Sequence, residues 1–137
     1  MLGDQIGQET GKVTSRRILP GDSDNRFIRM EITVELETTI LGQSGQHIAT
    51  YTVFERGPGQ MYGEGQGIIM LQNGEAAIWN GHGIGRLDEQ GGMHFAASIA
   101  YQTSSEKLSR LNGMLGLVEH HIDAQNNAKS SIFAWTA

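Results

Sequence analysis

The strongest constraint on the fold is the strict alternation of apolar and polar side chains over residues 27–40. One parity is apolar apart from Thr38, and the other is polar or charged. The apolar set is Ile28, Met30, Ile32, Val34, Leu36 and Ile40. Because successive side chains of a strand point to opposite faces, the run predicts a long strand with one buried and one solvent face. Its length favours a barrel or a strongly coiled sheet.

Further strands are predicted at short intervals, and each is followed by turn residues. They cover residues 12–19, 47–56, 62–72, 75–86, 93–103, 111–123 and 129–135. Short connections favour antiparallel neighbours, and a sheet of about eight twisted strands tends to close because closure removes its edges. The sequence therefore predicts an all-β fold, a single closed antiparallel up-and-down β-barrel of about eight strands.

The domain organisation is predicted to be simple, since 137 residues suit one domain. Residues 1–10 are polar and aperiodic, which predicts a flexible N-terminal arm before a barrel domain over residues 11–137. Residues 104–110 could form one turn of helix, with Leu108 as its anchor.

Alternate glycines mark two segments, residues 63–67 and 81–85. The Asn73-Gly74 pair between them predicts a two-residue type I′ turn, which would place Gly65 opposite His82. Bare backbone would let the sheet coil tightly and let neighbouring side chains fold over it. Alternatively, the glycines widen a pocket. A phosphate-binding loop is not indicated, because neither segment has the Gly-x-Gly-x-x-Gly spacing or a following helix.

Charge and cysteine content exclude several function classes. The net charge is −5, and the ten Lys and Arg residues are scattered, which argues against binding nucleic acid. The absence of Cys excludes disulfides and thiolate chemistry. Neither a signal peptide nor an apolar run of about 18 residues is visible, so we expect a cytoplasmic protein that does not interact with a membrane.

Two residues of the fifth predicted strand, Asn80 and His82, share parity with the apolar residues Ala76, Ile78 and Ile84. If that set faces inward, both would project polar groups into an apolar barrel, as in a small-molecule site. The alternative is a hydrogen-bonded network that plugs a filled core.

Glu119 and His121 share parity with Leu115 and Leu117. If this face is internal, Glu119 is a carboxylate with a raised pKa and acid–base competence. If Val118 and its parity face inward instead, Glu119 is solvated, and we favour this interpretation because unpaired buried Glu is rare. The predicted ligand-binding residues are Asn80, His82, Tyr101, Glu119 and His121.

The five histidines do not form a metal-binding pattern. They are His47, His82, His94, His120 and His121, without Glu-x-x-His or His-x-His spacing. His82 and His94 lie on consecutive predicted strands and could approach each other, whereas His120 and His121 must point to opposite faces. We expect no metal and no cofactor. No Gly-x-Ser-x-Gly motif indicates a nucleophile, so no catalytic residue is predicted.

Several motifs resemble a bacterial family of small uncharacterised proteins, domain of unknown function 3224. They are Gly-Gln-Gly-Ile-Ile at 65–69, Gly-Glu-Ala-Ala-Ile-Trp-Asn-Gly-His-Gly-Ile-Gly-Arg at 74–86, Lys-Leu-Ser-Arg-Leu-Asn-Gly-Met-Leu-Gly at 107–116, Glu119, and Phe-Ala-Trp at 133–135. The resemblance covers about residues 26–135. It implies an eight-stranded barrel like that of allene oxide cyclase and, more loosely, the lipocalin-type calycins. It implies no established activity, and no residue matches the cyclase site.

Three functions remain open from the sequence. The first is a non-enzymatic barrel that binds a small, largely apolar ligand. The second is an isomerase or cyclase of a lipid-like substrate, with Glu119 or a histidine polarising one group. The third is a structural or interaction barrel without a ligand, which could form a homodimer.

Overall fold

A computed structural model describes residues 2–21 and 29–136, and the side chain of Leu2 is left out. The strands in these ranges are β1 (Leu2–Leu19), β2 (Arg29–Ile40), β3 (Gln43–Gly57), β4 (Gln60–Leu71), β5 (Ala76–Leu87), β6 (Met93–Thr103), β7 (Met114–Ile122) and β8 (Asn127–Thr136). Each strand pairs antiparallel with the next, and β1 pairs with β8 to close the barrel. The predicted fold class is confirmed. The first two residues of the strand predicted at 27–40 lie outside the described ranges.

The first strand begins earlier than the sequence predicted. Residues 7–12 pair with β2 on one side and with β8 on the other, and residues 7–10 belong to the segment expected to be an N-terminal arm. Ile6 is buried, and Glu9 points into the barrel. The polar composition of this segment is misleading because Glu9 finds partners inside the molecule.

The loop between β4 and β5 has three residues instead of the predicted two. The Leu71 amide donates to the Glu75 carbonyl at 2.8 Å, and the Gly74 amide donates to the Leu71 carbonyl at 3.0 Å. Gly74 has a φ of 87°, but Asn73 does not have the positive φ that a type I′ turn requires. The loop has the form of a turn followed by a glycine in the left-handed region.

This extra loop residue shifts the predicted register of β4 and β5 by one position. Gly65 pairs with Gly81, and Glu64 pairs with His82. The glycines of both strands thus share the inner face of the barrel. A one-residue change of register reverses which face a side chain occupies relative to its partner strand.

Two apolar clusters fill the barrel on either side of its middle. The first lies near the β6–β7 connection and comprises Ile6, Ile40, Ile69, Leu71, Ala77, Ile99, Tyr101, Leu108, Leu111, Met114, Ile132 and Ala134. The second comprises Ile32, Val34, Leu36, Ala49, Val53, Met61, Met93, Phe95, Ile122 and Ala128. A short 3₁₀ helix, Ser109–Gly113, lies in the β6–β7 connection, and the flanking Leu108 is fully buried.

Aromatic side chains lie over glycines on the inner face. The indole of Trp79 lies where a side chain at Gly67 would stand, and a Cβ at Gly85 would lie 2.6 Å from the Phe95 ring. A Cβ at Gly83 would lie 2.5 Å from the Ala96 carbonyl oxygen, which shows how closely β5 and β6 approach. These contacts agree with the structural interpretation of the glycine-rich hairpin.

Candidate functional site: the polar layer inside the barrel

A cavity of about 80 Å³ lies inside the barrel. Its apolar wall includes residues of both clusters, and the glycines of β4 and β5 form one side. Its inward polar and aromatic side chains include Glu9, His47, Tyr51, Trp79, Phe95, Tyr101, His120 and Ser130, and Glu64 and His82 also border it. The barrel is therefore neither wide open nor completely filled.

Glu9, His47 and Trp79 form a hydrogen-bonded chain across this layer. Glu9 Oε2 lies 2.7 Å from His47 Nδ1, and Trp79 Nε1 donates to His47 Nε2 at 2.7 Å. Because an indole N–H can only donate, Nε2 must carry the lone pair, and the proton of the imidazole lies on Nδ1. His47 therefore donates to the Glu9 carboxylate, and both of its ring nitrogens are used.

A second chain links Tyr51, His120 and Ser130. The Tyr51 hydroxyl lies 2.9 Å from His120 Nε2, and Ser130 Oγ lies 2.7 Å from His120 Nδ1. Burial lowers the pKa of His120 to about 4 and raises the pKa of Tyr51 above its ordinary value. His120 is therefore neutral near pH 7, so one of its nitrogens donates and the other accepts.

Two polar atoms of the layer keep hydrogen-bonding capacity. Within residues 2–21 and 29–136, no hydrogen bond reaches the Tyr101 hydroxyl or Oε1 of Glu9. Tyr101 is only 8% exposed. Burial, and secondly the Glu9 charge, raise its pKa, so the hydroxyl keeps its proton. Among the described residues, the fully buried side-chain atom without a partner is Thr38 Oγ1, so the Tyr101 hydroxyl and Glu9 Oε1 keep some accessible surface and remain available as a donor and an acceptor.

The predicted site residues divide between the two faces of the barrel. Tyr101 faces inward and lines the cavity. The side chains of Asn80, His82 and Glu119 are exposed, and His121 lies half-buried on the outer face. These side chains do not point into the interior, although His82 borders the cavity, and ligand binding by the five residues stays a prediction.

Parity explains these corrections. In β5 the inner face holds Ala77, Trp79 and glycines, while Ile78 and Ile84 are 51% and 62% exposed. The apolar parity of this strand is therefore its outer face. In β7 the buried Ile122 defines the inner parity, to which His120 belongs. The favoured interpretation of Glu119 as a solvated residue is confirmed.

The sequence missed most of the polar layer. Glu9 was assigned to the N-terminal arm, and His47 and His120 were noted without a position. One usable signal was present, because His47 shares parity with Ala49, Tyr51 and Val53. The strand alternates apolar residues on both parities, however, so this signal does not select a face.

The histidines of the outer face also pair differently from the expectation. His94 pairs across the ladder with His121, whereas His82 pairs with Ser98. The centroids of the His94 and His121 rings lie 4.2 Å apart, and Asp88 lies beside them.

The interior is arranged for recognition more than for proton transfer. Both imidazoles have each ring nitrogen in a hydrogen bond with a protein group. A general base needs an open nitrogen within reach of the substrate proton. The remaining capacity lies on Glu9 and Tyr101, which can hold a polar group of a ligand.

These features define a closed, eight-stranded, up-and-down barrel with a small, mainly apolar cavity. Two solved structures share its architecture. A protein with unknown function from Clostridium acetobutylicum has a TM-score of 0.81 at 14% identity, with 98% of this chain and 97% of that chain covered. A conserved protein of unknown function from Rhodopseudomonas palustris has a TM-score of 0.78 at 13% identity, with the same coverage. At this identity the likeness shows the fold alone.

No protein-family model and no curated protein matches this chain. In the described part of the chain, no helix has the length and hydropathy needed to cross a membrane.

Proposed function

We propose that this protein binds a small organic molecule in the cavity of its barrel, with one polar group of the ligand held by Tyr101 and Glu9. The observation that carries the proposal is the pair of unused polar atoms in a buried, otherwise apolar cavity. Polar groups in a protein interior are normally hydrogen-bonded. A ligand that donates to Glu9 and accepts from the Tyr101 hydroxyl would use both atoms.

The size of the cavity narrows the class of ligand. One water needs about 10–15 Å³ of such volume, whereas pockets for drug-sized molecules measure about 300–1,000 Å³. A cavity of about 80 Å³ therefore suits a ligand of a few non-hydrogen atoms, such as a short primary amide or alcohol. This volume does not favour a lipid-like substrate, and the exposed side chains of His82 and Glu119 do not favour the cyclase alternative.

We propose family membership separately from ligand binding. The motifs at 65–69, 74–86 and 107–116 support assignment to domain of unknown function 3224, with a barrel related to that of allene oxide cyclase. The same assignment supports a bacterial, cytoplasmic protein. The binding proposal does not depend on it.

The first experiment is native mass spectrometry of gently purified protein, compared with the same sample after denaturation. A reproducible additional mass that denaturation removes is the expected result. In parallel, propionamide is titrated into ¹⁵N-labelled protein. We expect propionamide to shift the NMR signal of the Trp79 indole N–H and the backbone amide signals of the residues that line the cavity.

Three variants make this titration specific. Tyr101→Phe removes only the unused hydroxyl, and Gly63→Ala adds a methyl group on the cavity wall. The new Cβ at Gly63 meets nothing closer than 3.5 Å, so the fold should tolerate it. We expect each to weaken propionamide binding at least fivefold, whereas Tyr62→Phe, which changes a tyrosine outside the cavity lining, leaves it unchanged. Shifts confined to exposed residues, or equal binding by all variants, would favour an interaction barrel without a ligand.

A further inference from the structure

A half-buried cluster of Asp88, His94 and His121 lies outside the cavity. Asp88 follows the end of β5, and the two histidines pair across β6 and β7. His94 Nε2 lies 2.8 Å from Asp88 Oδ2, and His121 Nε2 lies 3.9 Å from the same oxygen. The three potential ligand atoms all lie within 4.8 Å of one another.

The turn between β5 and β6 holds Asp88 in position. Its Oδ1 accepts hydrogen bonds from the backbone amides of Gln90 at 2.9 Å and Gly92 at 2.8 Å. Oδ2 is thereby left to face the two imidazoles. The carboxylate is fixed by the backbone and not only by its histidine neighbours, as expected for a ligand supported by its surroundings.

The spacing of these atoms suits a transition-metal ion. Ligands of tetrahedral zinc lie about 2.0–2.1 Å from the ion, and therefore about 3.3 Å from each other. The two distances to Asp88 Oδ2, 2.8 and 3.9 Å, lie on either side of this value, and all three ligand atoms lie within 4.8 Å of one another, so side-chain rotations would bring them into place around an ion. Two imidazoles with one carboxylate suit zinc better than magnesium or calcium, which prefer oxygen ligands.

The surroundings leave one side of the cluster open. A groove of about 860 Å³ runs past both imidazoles, and Arg86, Glu119 and Lys129 also line it. Arg86 pairs across the ladder with His94, and Lys129 pairs with His121. These cations oppose a dication, whereas Asp88 and Glu119 favour it. A fourth ligand, such as water, can approach from the groove.

We propose that Asp88, His94 and His121 form a zinc-binding site on the outer wall of the barrel, with three protein ligands and one open position. The expectation of no metal, drawn from the sequence, rested on the lack of a linear spacing motif. The three ligands instead come together across the β5–β6 turn and the β6–β7 ladder. None of the three ligands lines the cavity, and the zinc proposal does not rest on the ligand-binding proposal.

The test uses the full chain without an affinity tag, titrated with zinc chloride by isothermal calorimetry. We expect one zinc ion per chain and an increase in melting temperature with zinc. Cobalt(II) should give the visible absorption of a low-coordinate site. Magnesium chloride at the same concentration should give neither heat nor stabilisation.

Matched variants separate this site from adventitious binding by surface histidines. His94→Gln and His121→Gln should each weaken zinc binding at least tenfold and abolish the zinc-dependent rise in melting temperature. His82→Gln removes an exposed histidine of β5 outside the cluster and should change neither. His121 is not part of the β5–β6 turn, so its variant should keep the fold, which near-UV circular dichroism checks. Equal zinc binding by wild type and a His94→Gln/His121→Gln double variant would overturn the proposal, as would an equal loss in His82→Gln.

Discussion

The indole N–H of Trp79 donates a hydrogen bond to Nε2 of His47 in the interior of the barrel. We expect Trp79→Phe to lower the free energy of unfolding by about 1–3 kcal/mol, because His47 Nε2 would be left buried without its donor. Urea unfolding followed by circular dichroism measures this loss. Trp135→Phe is the matched control, since Trp135 is 47% exposed and its replacement should stay within about 0.5 kcal/mol of wild type. Similar losses in both variants would contradict the assigned hydrogen bond.

Buried polar residues are the least predictable part of this sequence. Glu9 lies in a polar, aperiodic segment, and the usual preference of Glu for solvent argues against an inward position. Its burial depends on His47, which is distant in the sequence and reaches it only after β1, β2 and β3 are assembled. A local pattern does not contain this information.

The N-terminal strand provides a direct test at the scale of an element. Residues 7–11 of β1 pair with strands on both sides, so their amides should exchange with solvent as slowly as those of β2. Hydrogen exchange measured by NMR checks this expectation. The exposed turn residues Ala124 and Gln125 give the fast reference. Exchange of residues 7–11 at the rate of this turn would restore the original expectation of a flexible arm.

Leu108 anchors the β6–β7 connection against the first apolar cluster. It is fully buried, and so is Leu111 in the short helix that follows. We expect Leu108→Ala to destabilise the protein by about 2–5 kcal/mol, because it removes buried methyl groups and leaves a cavity. Lys107→Ala, at the exposed neighbouring position, should have little effect. Thermal and urea unfolding of both variants measure these changes. A small loss in Leu108→Ala would mean that the connection is only loosely held against the cluster.

The existence of the strands was predictable, but the details of their turns were not. Alternation and turn residues located all eight strands, and the bounds of β6 agree with the prediction. Asn73-Gly74 is compatible with a two-residue turn and with a three-residue loop that ends in a left-handed glycine. The choice depends on which face of β5 fits the interior, where Trp79 lies against Gly67. Side-chain packing across the barrel therefore decides the register.

Closure of the barrel was predictable. Eight strands with short connections form a sheet with two unpaired edge strands, and closure pairs these edges with each other. The size of the interior was not predictable. Glycines on the inner face enlarge it, while Trp79, Phe95 and Tyr101 fill it again. The resulting cavity volume is a small difference between these opposing contributions. Assigning the wrong face of one strand to the interior would therefore change the expected volume.

The closed topology also predicts an order of folding. Ile69 and Ile132 belong to the same apolar cluster and are 1% and 2% exposed. Ile69 lies in the local β4–β5 hairpin, whereas Ile132 pairs with Gly7 at the opposite end of the chain. Because long-range contacts require costly loop closure, the β1–β8 seam should form late.

Alanine substitution at the two positions tests this order. Each should cost about 2–5 kcal/mol, enough for reliable φ-values. We expect Ile69→Ala to slow folding, with the higher φ-value, and Ile132→Ala mainly to accelerate unfolding. Stopped-flow folding and unfolding rates over a range of urea concentrations provide both numbers. Equally high φ-values would mean that the seam is already formed in the transition state and would contradict this order.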